Sequence, residues 1–172
     1  GIPAEHTGKV VVATLPAELP ALEKLEQRGR ENGLEGIRRL TPGQIREHEP
    51  YAAGIAGLFV PQTGIVDYRL VNNRFGEIVQ AGGGEILTNA RVTAFQKSAG
   101  DFILTTPRGE IAARTLINCA GLHSDQVARM CGVEPGMQVM PFRGEYYEIV
   151  PEKHHLVKNL IYPVPDVRFP FL

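Results

Sequence analysis

Thr115-Leu-Ile-Asn-Cys-Ala-Gly-Leu-His-Ser-Asp125 decides how this sequence is read. Thr115–Asn118 has the apolar, β-branched character of a short buried strand. It runs into Cys119-Ala120-Gly121, and Ser124 or Asp125 then opens a short helix towards Cys131-Gly132. In a doubly wound sheet, ligands bind at the carboxyl ends of strands. Ala120 and Gly121 have almost no side chain, so the backbone there can approach a ligand closely. The helix start behind them offers free N–H groups and a positive dipole end, both suited to a phosphate. The plainer alternative is an ordinary strand–turn–helix whose small residues serve tight packing.

Working outward, the order is mixed. Lys9–Thr14 reads as a strand, and Pro16 leads into a helix over about 18–32 with Leu19, Leu22 and Leu25 on one face. Gly33 suits a left-handed stop. Thr41-Pro-Gly-Gln44 carries a capping box with proline at the first helical position, and that helix ends before Pro50. Gly57–Val60 reads as a strand, followed by a turn through Pro61–Gly64. Asp67 caps a helix over about 69–81 with Val71, Phe75, Ile78 and Val79 as its apolar stripe. Gly82-Gly-Gly84 stops that helix and fails the spacing and context of a phosphate loop; no GxGxxG occurs. Glu85–Thr88, Arg91–Lys97, Asp101–Thr106 and Glu110–Arg114 are strand candidates, with Pro107-Arg-Gly109 as a hairpin turn. Phe142–Val150 and roughly 160–164 complete the strands. Helix–strand units mixed with hairpins give a fold class of α/β to α+β.

In Pro141-Phe-Arg-Gly-Glu-Tyr-Tyr-Glu148, strand alternation places Arg143, Glu145 and Tyr147 on one face. An arginine in an apolar strand calls for a carboxylate partner or an anionic ligand. Glu145 is the internal partner at hand. Gly144 in mid-strand suggests a close approach of other atoms to the backbone. His123 reads as a solvent-facing residue at a helix start, and His154-His155 lies in a polar loop.

The whole chain has 172 residues, 43% hydrophobic and 22% charged, with a net charge of -1. That composition excludes a disordered chain, and 19 Gly with 13 Pro show no collagen-like period. A near-zero charge gives no electrostatic basis for binding nucleic acid or an anionic membrane surface. No apolar run reaches the ~20 residues of a bilayer span, and no export leader opens the sequence. Cys119 and Cys131 form neither a disulfide framework nor a CxxC, and the five histidines show no HxxxH or HExxH, so no metal site is expected.

The sequence resembles the L-2-hydroxyglutarate oxidase/dehydrogenase family, among the D-amino-acid-oxidase-like FAD oxidoreductases. The resemblance rests on Gly8–Thr14, Leu58-Phe-Val-Pro-Gln-Thr-Gly-Ile-Val-Asp-Tyr68, Gly83-Gly-Glu-Ile86, Leu116-Ile-Asn-Cys-Ala-Gly-Leu122, Pro141-Phe-Arg-Gly-Glu-Tyr-Tyr147 and Leu160-Ile-Tyr-Pro-Val-Pro-Asp166. Val167 departs from it, standing where the family usually has proline. The resemblance implies part of a Rossmann-like FAD-binding domain plus a mixed-sheet substrate domain. Residues 1–78 and 133–172 are expected in the substrate domain and its connecting helices, and 79–132 in the FAD-binding domain. It also places the family's GxGxxG upstream of Gly1 and its Gly-Val-His beyond Leu172, so an internal fragment is expected.

The same resemblance implies residue roles. Arg91 and Val92 match the segment whose backbone meets the adenine. Asn118, Cys119, Ala120 and Gly121 match the turn near the FAD phosphates and ribose. Arg143, Gly144 and Tyr147 match the strand beside the flavin, with Arg143 as a contact for a substrate carboxylate. The implied reaction oxidises L-2-hydroxyglutarate to 2-oxoglutarate by hydride transfer to flavin, and no base is identified in these residues. The implied partner is a small-molecule 2-hydroxy acid. Nucleic acid is not a partner, and the exposed edges of a fragment allow self-association. The expected location is cytoplasmic, with peripheral association at the inner membrane as the alternative. Two other readings stand beside it: a ligand-binding or interaction module without redox activity, and a related flavoenzyme acting on glycerol 3-phosphate or an N-methyl amino acid.

Overall fold

The computed structural model describes residues 1–98 and 100–166; Val167 and the residues after it lie outside the described residues. The chain forms two compact units, one made of Gly1–Phe75 with the chain from Tyr147 onward, the other of Gly76–Tyr146.

The first unit is built on the apolar run Lys9–Ala13, which forms β2 after the two-residue strand β1 (Ala4–Glu5). Successive side chains of a strand point to opposite faces, so a run without polar interruption must be covered on both. Val11 and Ala13 pack with Leu22 of α1 (Leu19–Glu31), Ile37 and Leu58. Val10 and Val12 pack on the other face with Leu40 of β3 (Arg38–Leu40) and Ile45 of α2 (Pro42–His48). With β4 (Ala56–Val60) and β9 (Leu160–Pro163), these strands form a mixed sheet in the order β3-β4-β2-β9. The β2–β4 and β3–β4 pairs are antiparallel, whereas β2–β9 is parallel, with Val11 opposite Leu58 on one side and Tyr162 on the other. The short β5 (Ile65–Val66) pairs antiparallel with β1.

Local signals fix the helix ends. A 3-10 turn over Pro16–Glu18 leads into α1, and the Glu18 carboxylate accepts the N–H groups of Thr14 at 2.6 Å and Leu15 at 3.0 Å. Gly33 ends the helix at φ +77. Thr41 and Gln44 form the capping box: the Thr41 hydroxyl accepts Gln44 N–H at 3.4 Å, and the Gln44 amide oxygen accepts Thr41 N–H at 2.9 Å. Asp67 accepts Arg69 N–H at 2.8 Å at the start of α3 (Tyr68–Ala81).

The second unit contains an antiparallel meander of β6 (Ala94–Ser98), β7 (Asp101–Thr106) and β8 (Gly109–Ala113). Its hairpin turns at Pro107-Arg108, with Gly109 at φ +111 and the Thr106 hydroxyl accepting Arg108 N–H at 3.1 Å. The short helix α4 (Ser124–Met130) follows a 3-10 turn over Gly121–His123.

Three expected strands are corrected. Glu85–Thr88, Thr115–Asn118 and Phe142–Val150 carry no strand, and the ladder expected from Arg91 begins at Ala94. β-branched and aromatic residues supply propensity, but a strand exists only through its ladder. Among the described residues, no strand pairs with these segments. The apolar stripe of α3 also has no buried member: Phe75 is 63% exposed and Ile78 53%.

Candidate functional site

The turn after Asn118 is held by its own side chain. The Asn118 amide oxygen accepts Ala120 N–H at 3.2 Å, while its NH2 group donates to the Ser124 carbonyl at 2.8 Å. One side chain thus ties the end of the extended segment to the start of α4. Gly121 sits at φ +56 with open space where a side chain would be. An L residue there would be strained.

Beside the turn lies a cavity of about 150 Å³. Val92, Leu104 and Leu116 form apolar walls, and Asn118, Cys119 and Ala120 close it. The fold therefore brings Val92 to the Asn118–Ala120 turn, although far apart in sequence. Arg91, beside Val92, is exposed. Cys119 is exposed and the second thiol, Cys131, is half-buried on the same cavity. Among the described residues, no group of three or more His, Cys, Asp and Glu comes together to hold a metal.

The helix start is less open to an anion than its sequence suggests. Asp125 occupies the first turn of α4, where it is buried, and pairs with Arg129 at 2.9 Å. That Arg129 hydrogen bond holds the Asp125 carboxyl below the ordinary aspartate range, helped by the Gln126 and Val139 N–H groups. The positive end of this seven-residue helix already faces a carboxylate. Arg129 also donates to the Met137 carbonyl at 3.2 Å, tying down the following loop. Sequence reasoning passed over this pair, although its i,i+4 spacing is readable in Asp125-Gln-Val-Ala-Arg129.

Arg143 does not lie in an apolar strand, which corrects that expectation. Residues 141–150 form no ladder, and its guanidinium meets the Glu145 carboxylate at 3.3 Å with both side chains largely in solvent. The atoms nearest to a side chain placed on Gly144 belong to the Tyr146 ring, at 3.4 Å. Tyr147 is fully exposed. Arg143, Glu145 and Tyr147 therefore share no strand face. His123 is exposed at the end of its 3-10 turn, as read from sequence.

A family model described as FAD dependent oxidoreductase (DAO) matches residues 1–172. The chain belongs to that oxidoreductase family. Within the FAD dependent oxidoreductases it is 49% identical over 172 residues to the L-2-hydroxyglutarate dehydrogenase of Indibacter alkaliphilus, covering 99% of this chain and 43% of that protein. The L-2-hydroxyglutarate dehydrogenase of Escherichia coli strain UMN026 is 42% identical over 173 residues, covering 100% and 41%. The chain thus spans less than half the length of these curated relatives. Its fold resembles dithionite-reduced L-alpha-glycerophosphate oxidase from Mycoplasma pneumoniae with FAD bound, with a TM-score of 0.75 and 22% identity over 97% of this chain and 45% of that one. Among the described residues, no helix is long and apolar enough to cross a membrane.

Proposed function

We propose that this chain is part of an FAD-dependent oxidoreductase that converts L-2-hydroxyglutarate to 2-oxoglutarate. The observation that carries the reading is its similarity, along essentially its whole length, to L-2-hydroxyglutarate dehydrogenases at 49% and 42% identity. Residues 79–132 belong in this reading to the FAD-binding domain, with 1–78 and 133–172 on the substrate side.

The residues at the turn fit a dinucleotide. The cavity wall is apolar at Val92 and Leu116, as an adenine ring requires, and the turn beside it is lined by small residues. Asn118 has its amide engaged inside the turn, so its part is to shape Cys119-Ala120-Gly121 for close backbone approach. Arg91 and Val92 offer backbone to the adenine side. Asp125 disfavours a phosphate directly at the α4 start, so the ribose is the better-matched group for this turn. Bound FAD supplies the hydride acceptor.

On the substrate side, Arg143 is the group for a carboxylate of the 2-hydroxy acid, and Gly144 and Tyr147 are the further candidate contacts that the family resemblance implies. Its pairing with Glu145 is solvent-exposed and therefore weak, so a dicarboxylate in a drier setting can displace it. The test uses the product of the open reading frame that contains this sequence. Flavin absorbance and formation of 2-oxoglutarate from L-2-hydroxyglutarate are expected. A colourless protein, or one that oxidises glycerol 3-phosphate and leaves L-2-hydroxyglutarate untouched, overturns the reading. The 172-residue chain alone is expected to give no stable yellow complex in an absorbance titration with FAD.

A further inference from the structure

Glu49 lies outside this site. It caps the end of α2 and is 1% exposed. Its Oε1 accepts two backbone N–H groups, from Lys158 at 2.9 Å and from Asn159, while its buried Oε2 has no hydrogen-bond partner. The Asn159 side chain in turn donates to the Thr7 carbonyl, and Leu160 N–H donates to the Gly8 carbonyl at 3.0 Å. Three stretches distant in sequence therefore meet where β9 begins.

We propose that Glu49 is a latch that seats β9, making this strand a strap able to lift from the sheet while β2, β3 and β4 stay folded. Among the described residues β9, four residues long, is the outer strand of its sheet, with Ile161 and Tyr162 exposed and the buried Val164 side chain beyond its end. Its start has no comparable apolar anchor. The chain leaves this unit after Phe75 and returns at Tyr147, so seating β9 also closes a long loop against entropy. Hydrogen bonds to a carboxyl group are strong enough to fix that start. The orphan oxygen works the other way, because a buried polar atom without a partner destabilises the closed state and regains water when the strap lifts. Opening of β9 thus costs less than unfolding the sheet. It also removes one wall of a cavity of about 340 Å³ formed by Val12, Thr14, Tyr51, Ile161, Tyr162 and Pro163.

The inference is independent of the proposed reaction. Residue-resolved hydrogen exchange on the product of the open reading frame that contains this sequence tests it. In Glu49→Leu, the Leu160 and Val164 amides are expected to exchange about tenfold faster or more, with the β3–β4 ladder changed by less than about threefold. Glu49→Gln keeps an acceptor oxygen and is expected to stay within about threefold of the parent at all these amides. Unchanged protection at Leu160 and Val164 in Glu49→Leu, or equal acceleration of every ladder, overturns the latch. Should Glu49→Leu not fold, Glu49→Asp withdraws the oxygen by one methylene. Selective acceleration at Leu160 then supports the latch, and uniform or absent acceleration overturns it.

Discussion

Val11 and Ile117 both stand in short β-branched stretches, yet Val11 is buried in the first unit and Ile117 is 80% exposed in the second. The first unit closes on itself: β2 has α1 over one face and α2 over the other, and every buried hydrophobic residue of the described chain lies there. Among its described residues, the second unit buries only Thr106 and Asp125. A periodic apolar pattern therefore says which face of an element seeks cover, and only the neighbouring elements decide whether it finds any. The largest expected effect breaks this contrast directly. Leu22→Ala, at a site with no exposure, should lower stability by about 2–5 kcal/mol, whereas Ile117→Ala should stay within about 0.5 kcal/mol. Urea unfolding of the two variants measures both. A large loss for Ile117→Ala would mean that the second unit has a core after all.

Gly8→Ala sharpens the picture of the first unit at its tightest point. Gly8 sits at φ +72, and a side-chain carbon there would lie 2.8 Å from the Phe59 ring. Phe59 is itself stacked on His48 with centroids 4.2 Å apart, so it has little room to yield. A loss of about 1–3 kcal/mol is expected in the same unfolding assay. In the second unit the corresponding test is functional. On the proposed reading, Arg143→Ala in the full reading-frame product should raise KM for L-2-hydroxyglutarate about tenfold, because that reading gives it one charged contact to the substrate, with little effect on folding, because its side chain is exposed apart from Glu145. An unchanged KM removes Arg143 from the substrate contacts. Thr41→Ala, which removes the capping hydroxyl of α2, should cost about 1 kcal/mol by urea unfolding.

The first unit was the more legible in sequence for the same reason that it is the better packed. The capping box at Thr41, the stop at Gly33 and the Asp67 cap are local signals, each satisfied by residues a few positions away, while the strand at Lys9 was legible from its unbroken apolar run and found its partners far off in β4 and β9. The hairpin at Pro107-Arg-Gly109 was legible on the same grounds. Thr115–Asn118 and Phe142–Val150 failed as strands because pairing is non-local, and their composition reports propensity without a partner. β3, at Arg38–Leu40, was missed for the converse reason: two arginines hide a strand that its partner β4 creates. Of the site, the meeting of Val92 with the Asn118–Ala120 turn was legible only through family resemblance, while Glu49 gave no local signal because its partners lie at Lys158 and Asn159.

Two carboxylates carry the comparison of the units into their pH response. Glu26 in α1 is held below the ordinary glutamate value of 4.5 by hydrogen bonds from Arg30 and then Arg39. Asp125 in α4 is held below 3.8 chiefly by Arg129. In both, the folded value is depressed, so the stability each contributes is fully present above the ordinary value and is lost as pH falls through the folded one. The loss should begin at higher pH for Glu26, because its ordinary value is higher. The arginines are half-exposed, so screening keeps these the smallest of the expected effects. The two sites differ in redundancy. Arg39→Ala leaves Arg30 on Glu26, so a carboxyl-carbon NMR titration should still find Glu26 depressed. Arg129→Ala removes the main cause at Asp125 and should move its midpoint most of the way back, leaving only the Gln126 and Val139 N–H groups. Equal shifts in the two variants would mean that Glu26, like Asp125, depends on a single partner.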